Sequence, residues 1–136
     1  MVFFDSTGGL EEYNLLFFLM VTHSPVGALP LANIVTSDET TNTLIQALEM
    51  LKYTLPSSAF YGNLQRGPTI FMKDNCSELR EALHFVWPHS SLLLCIFYLL
   101  QQIWRWLFEK KHNIAMEDRR GTMLYKKQFL NLPYLD

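Results

Sequence analysis

The stretch TIFMKDNCSELREAL, residues 69–83, changes period at Asp74. Before the aspartate, TIFMK is a short apolar run following the turn-rich PSSAFYGNLQRGP of residues 56–68, and it reads as a strand. After it, Leu79, Ala82, Leu83 and Val86 recur at i, i+3, i+4 and i+7, one face of an amphipathic helix that Pro88 closes. Asn75, with Glu78 three residues on, has the spacing of an N-terminal capping pair. A strand that hands over directly to a helix opens a crossover unit and leaves Asp74 at the seam. An aspartate there serves either local turn hydrogen bonds or a metal site. The choice depends on whether the fold sets a second acid beside it.

Upstream, Met1 to Phe4 is apolar and ends at Asp5, followed by Ser-Thr-Gly-Gly, which reads as a short strand closing in a turn. Leu15–Thr22 and Ala28–Thr36 are two further apolar runs separated by HSPVG, so the first three strands form an antiparallel meander. Leu44, Ala47, Leu48 and Leu51 then mark a helix that ends before Pro56. Downstream of the opening stretch come a fifth strand, Ser91–Cys95, and a helix from about Phe97 to Lys110. The order predicts an α/β fold with a mixed sheet, a meander followed by parallel strands, and flanking helices. The first strand has the free edge, which makes it the parallel neighbour of the fourth. Asp5 and Asp74 would then stand about 5 Å apart. Two carboxylates that close repel unless a proton or a cation lies between them, and a hard ion such as Mg²⁺ prefers oxygen ligands.

Of the 136 residues, 49% are hydrophobic and 18% charged, enough for one modest core. The net charge of −2 argues against a wholly electrostatic nucleic-acid binder, but residues 105–127 carry a local +4 against −5 over the first 104. Arg105, Lys110, Lys111, Arg119 and Arg120 are the candidate nucleic-acid contacts in that segment, with Trp104, Trp106 and Phe108 either stacking on bases or packing as a helix face. Cys76 and Cys95 lack metal-motif spacing and suit a reducing, intracellular setting. The run LLLCIFYLLQQIWRWLF, residues 92–108, is too short for a membrane span and includes Gln101, Gln102 and Arg105. With Tyr98 and Glu109 these form a polar stripe, leaving Leu99, Leu100, Ile103, Trp106 and Leu107 to pack.

The wording of three blocks carries a family likeness. Residues 5–40, DSTGGLEEYNLLFFLMVTHSPVGALPLANIVTSDET, 44–62, LIQALEMLKYTLPSSAFYG, and above all 67–114, GPTIFMKDNCSELREALHFVWPHSSLLLCIFYLLQQIWRWLFEKKHNI, resemble the transposase domain of Mutator-like elements. That resemblance implies an RNase H-like fold, in which Asp5 and Asp74 are the first two acids of a DDE triad. They would hold Mg²⁺ or Mn²⁺ for cleavage and transfer of DNA strands in the nucleus.

The chain departs from the family pattern in three places. The Cys-x-x-His motif becomes Cys95 and Tyr98, and a phenol does not replace imidazole near neutral pH. The third acid has no counterpart: Glu109 would lie roughly 18 Å along its helix from the strand ends, and Glu117 and Asp118 read as exposed acids opening a last helix. Met1 stands four residues before Asp5. The expectation is a catalytic core incomplete at its C-terminal end, residues 1–114, with a helical extension over 115–136, inactive in cleavage and able to self-associate through an exposed core face. The other reading is a non-catalytic DNA- or protein-binding module domesticated from a transposase.

Overall fold

The computed structural model describes residues 1–10 and 14–129, and side chains within 1–6 and 14–122. Contacts divide the chain into two compact units, Met1–Cys95 and Ile96–Asp136, earlier than the division after residue 114 that the resemblance implies. Residues 130–136 of the expected extension lie outside the described residues.

The first unit holds β1 (Val2–Leu10), β2 (Leu15–Ser24), β3 (Gly27–Thr36), α1 (Thr41–Thr54), the short α2 (Ala59–Gly62), β4 (Ile70–Lys73), α3 (Ser77–Val86) and β5 (Ser91–Leu94). The strands form one sheet in the order β3-β2-β1-β4-β5. The β1–β2 and β2–β3 pairs are antiparallel, and the β1–β4 and β4–β5 pairs are parallel. This is the meander and crossover arrangement expected from the sequence. Pro30 sits in β3, the edge strand, where a missing N–H is tolerated, and the pairing slips between Met20 and Val21 opposite it.

Strand alternation sends Val2 and Phe4, Phe18 and Met20, Ile34, and Phe71 to one face, where all are buried with Leu44 and Leu48 of α1 and Leu79, Ala82, Leu83 and Val86 of α3. Each of these side chains larger than Ala82 contributes about 1.5–3 kcal/mol on burial. Phe4 and Phe18 stack at 6.0 Å. The Thr40 side chain caps α1 by accepting the Thr43 N–H at 3.3 Å. Asp38 accepts from the Thr40 N–H at 3.0 Å, and its carboxyl is lowered to about 2 by the Thr43 and Thr40 hydrogen bonds.

Trp87, just past α3, is fully buried. Its Nε1–H donates to Leu64 O at 3.1 Å, Phe71 lies 5.5 Å from its ring, and Phe60 meets it edge-on at 5.9 Å. Phe60 and Tyr61 have φ of 53° and 60°, and Gly62 follows at 79°. For bulky residues this left-handed turn costs about 1–2 kcal/mol each. The Phe60 ring against Trp87 supplies the packing that holds it.

Two expectations change. Ser6 to Gly9 do not form a turn: β1 continues to Leu10, paired with β2. The cap of α3 is Cys76, whose sulfur accepts the Leu79 N–H at 3.4 Å, and not Asn75. Residues 56–68 carry turns as their composition predicts, the left-handed one at Phe60–Gly62 among them.

The second unit holds α4 (Ile96–Phe108), a 3₁₀ turn (Lys110–His112) and α5 (Met116–Phe129). Leu100 and Leu107, two turns apart on α4, are buried, but Trp106 is 48% exposed and stacks on His112 at 4.2 Å in place of the packing expected. Trp104 lies 4.5 Å from Phe108. Among the described residues no helix is long and apolar enough to cross a membrane.

Candidate functional site

The parallel β1–β4 register runs Val2↔Phe71, Phe3↔Met72 and Phe4↔Lys73. Asp5 and Asp74 are the next residues along each chain, immediately after this last pair. One detail of the sequence expectation is corrected. Asp5 does not end its strand: the pairing with β4 stops at Phe4, and β1 goes on beside β2 with Asp5 opposite Leu19. Asp74 does follow the last residue of β4. Both are half-buried.

The Asp74 carboxylate works locally. Its Oδ1 accepts the Cys76 N–H at 3.0 Å, an Asx-type turn that launches α3, and its Oδ2 accepts the Ser6 hydroxyl at 3.4 Å. Alternation puts Ser6 on the Phe4 side of β1 and Asp5 on the opposite side. Sharing an ion with Asp5 therefore requires Asp74 to exchange these bonds for the cation. Two carboxylates and a hydroxyl are the oxygen donors that suit Mg²⁺ or Mn²⁺. Among the described residues no group of three or more His, Cys, Asp or Glu side chains could hold a metal ion.

Lys73 lies against the Asp74–Cys76 loop. It is 6% exposed, two residues after Phe71 on the core-facing side of β4. Its ammonium donates to Asp74 O at 2.7 Å and Cys76 O at 2.5 Å, bracing the loop between β4 and α3. Burial lowers its pKa, partly countered by the Asp74 charge. Burial likewise pushes the Cys76 thiol up to about 11. The period-2 placement after Phe71 was the signal that could have revealed Lys73.

Cys95 directly follows β5, half-buried, and its N–H donates to Lys73 O at 2.6 Å. Tyr98 lies on α4 with its ring edge-on to Phe97 at 5.6 Å. Glu109, one residue beyond α4, pairs with Lys111 at 2.6 Å and His112 at 3.1 Å. The hydrogen bond from Lys111 leads in holding its carboxyl below the usual range.

The basic candidates divide by contact. Arg105, Lys110 and Arg120 are exposed. Lys111 bridges to Glu109, and Arg119 donates to Ile114 O at 3.1 Å with its guanidinium 4.7 Å from the Phe108 ring. No protein-family model matches the chain, and no curated protein matches it. The geometry defines an α/β unit in which Asp5 and Asp74 each follow the last β1–β4 pair, Phe4↔Lys73.

Proposed function

We propose that Met1–Cys95 is an RNase H-like domain of the Mutator-like transposase kind, retaining a two-aspartate remnant of a divalent-metal site but not cleaving DNA by itself. The observation that carries this is the parallel register of β1 and β4 within the order β3-β2-β1-β4-β5, which ends beside Asp5 and Asp74. A divalent cation bound there would supply Lewis-acid stabilisation of phosphate oxygens. Against turnover stand the local commitments of Asp74 and the phenol of Tyr98 where the family has imidazole.

Titration of Mg²⁺ or Mn²⁺ should move the Asp5 and Asp74 signals in NMR together and saturably, and Asp5→Asn should abolish the response. A folded protein in which neither signal moves rules the metal site out. Incubation with supercoiled plasmid and Mn²⁺ should leave the DNA intact. Nicking lost in both Asp5→Ala and Asp74→Ala would overturn the inactivity.

A second reading rests on Trp104 and Trp106, each 48% exposed, on a helix that also carries exposed Arg105 and precedes exposed Lys110 and Arg120. Stacking aromatics beside free cations suit single-stranded nucleic acid. In that reading, affinity for an oligonucleotide falls steeply with salt, and Lys110→Glu with Arg120→Glu flattens the slope by about one per lost phosphate contact. Absent or salt-insensitive binding excludes it.

A further inference from the structure

A cleft of about 780 Å³ opens at the other end of the parallel strands, where β1 and β4 begin and just before β5. Its volume lies in the roughly 300–1,000 Å³ range of small-molecule sites. Arg66 and His89 line it, with Ser58, Asn63 and Thr69 as neutral hydrogen-bonding groups, and none of its lining residues is acidic. Arg66 and His89 are both exposed. A guanidinium, an imidazole and hydroxyls without a competing carboxylate form a donor set for an anion, and phosphate is among the anions that arginine binds bidentately.

Tyr61 adds a second kind of recognition. It lies in the lining and is 102% exposed, in the left-handed turn described above. The preceding Phe60, also in the lining, turns inward against buried Trp87, so the turn separates the two rings into an anchor and an exposed platform. Strained backbone that presents a side chain at a cavity is characteristic of ligand clamps. The floor is firm, because Gly67, which also lines the cleft, packs directly on Trp87.

We propose that this cleft binds a nucleoside phosphate, with the base stacked on Tyr61 and the phosphate held by Arg66 and His89. The combination of a flat exposed ring with a guanidinium and further hydrogen-bond donors is what a nucleotide asks for. The site is independent of the Asp5–Asp74 pair, and its test does not involve a metal.

The probes are AMP and ribose 5-phosphate, followed by calorimetry and by NMR of the Tyr61 ring and the Arg66 Nε–H. AMP is expected to bind saturably and to shift both groups. Arg66→Ala should weaken AMP about tenfold or more. Tyr61→Ala should weaken AMP by about tenfold while leaving the weaker binding of ribose 5-phosphate unchanged. Both residues are exposed, so the variants are expected to fold, which the amide spectrum checks. The proposal is overturned if AMP moves neither group, or if ribose 5-phosphate binds as tightly as AMP and Tyr61→Ala makes no difference.

Discussion

Gly67→Ala will destabilise the first unit by roughly 2–5 kcal/mol, the sum of a left-handed backbone penalty of about 1–2 kcal/mol and an overpacking cost of about 1–3 kcal/mol. Gly67 has φ of +77°, and an added Cβ would overlap Trp87 Cδ1 and stand 2.5 Å from Cγ and 3.0 Å from Cβ. The indole cannot move aside easily. It is fully buried, bonded through Nε1–H to Leu64 O, and flanked by Phe71 and Phe60. Against a typical net stability of about 5–15 kcal/mol, such a loss approaches unfolding. Gly62→Ala is the control, because Gly62 has a similar φ of +79° with nothing within 4 Å of the new Cβ. It should show only the backbone penalty. Urea titration with an unchanged m-value reads both, and equal midpoints for the two variants would mean that Trp87 does yield.

Lys73→Glu has the second large expected effect, a loss of about 3–5 kcal/mol. The substitution replaces a donor to Asp74 O and Cys76 O with a carboxylate facing the same two carbonyls in a 6% exposed position. Lys73→Met keeps the aliphatic stem and removes the charge, so it should cost only about 1–3 kcal/mol for the two carbonyls left without it. Near-wild-type stability of Lys73→Glu would show that the loop opens to water around it.

The alkaline pH profile separates Lys73 from its neighbour. Because the folded-state pKa of Lys73 is lowered, the folded protein releases that proton first, and stability rises as pH climbs from the lowered value to the ordinary one. Cys76 has the opposite sign. Its thiol titrates at about 11 in the folded chain against 9.0 ordinarily, so its contribution is full below 9.0 and is lost as pH rises through about 11. Cys76→Ser should therefore remove the fall, and Lys73→Met the rise. Denaturation midpoints between pH 8 and pH 11 check both, and unaltered profiles would contradict these assignments.

The sequence by itself determined the order of the main elements and the mixed sheet. These depend on periodicity and short connections: alternating apolar residues define strand faces, and helices between strands force parallel crossovers. The Leu44–Leu48 and Leu79–Val86 faces were legible for the same reason. Tertiary structure decided what those patterns cannot encode. Strand pairing with β2 carried β1 past Asp5 to Leu10, although Ser-Thr-Gly-Gly has turn composition. A contact across 68 residues of chain joined Asp74 to Ser6, giving the carboxylate a distant partner that composition did not disclose. Trp87 likewise drew Gly67, Leu64 and Phe60 around one indole, and so created both the strained turn and the cleft beside it. Local sequence governs which face a side chain takes, whereas close packing between distant segments governs which neighbour it meets there.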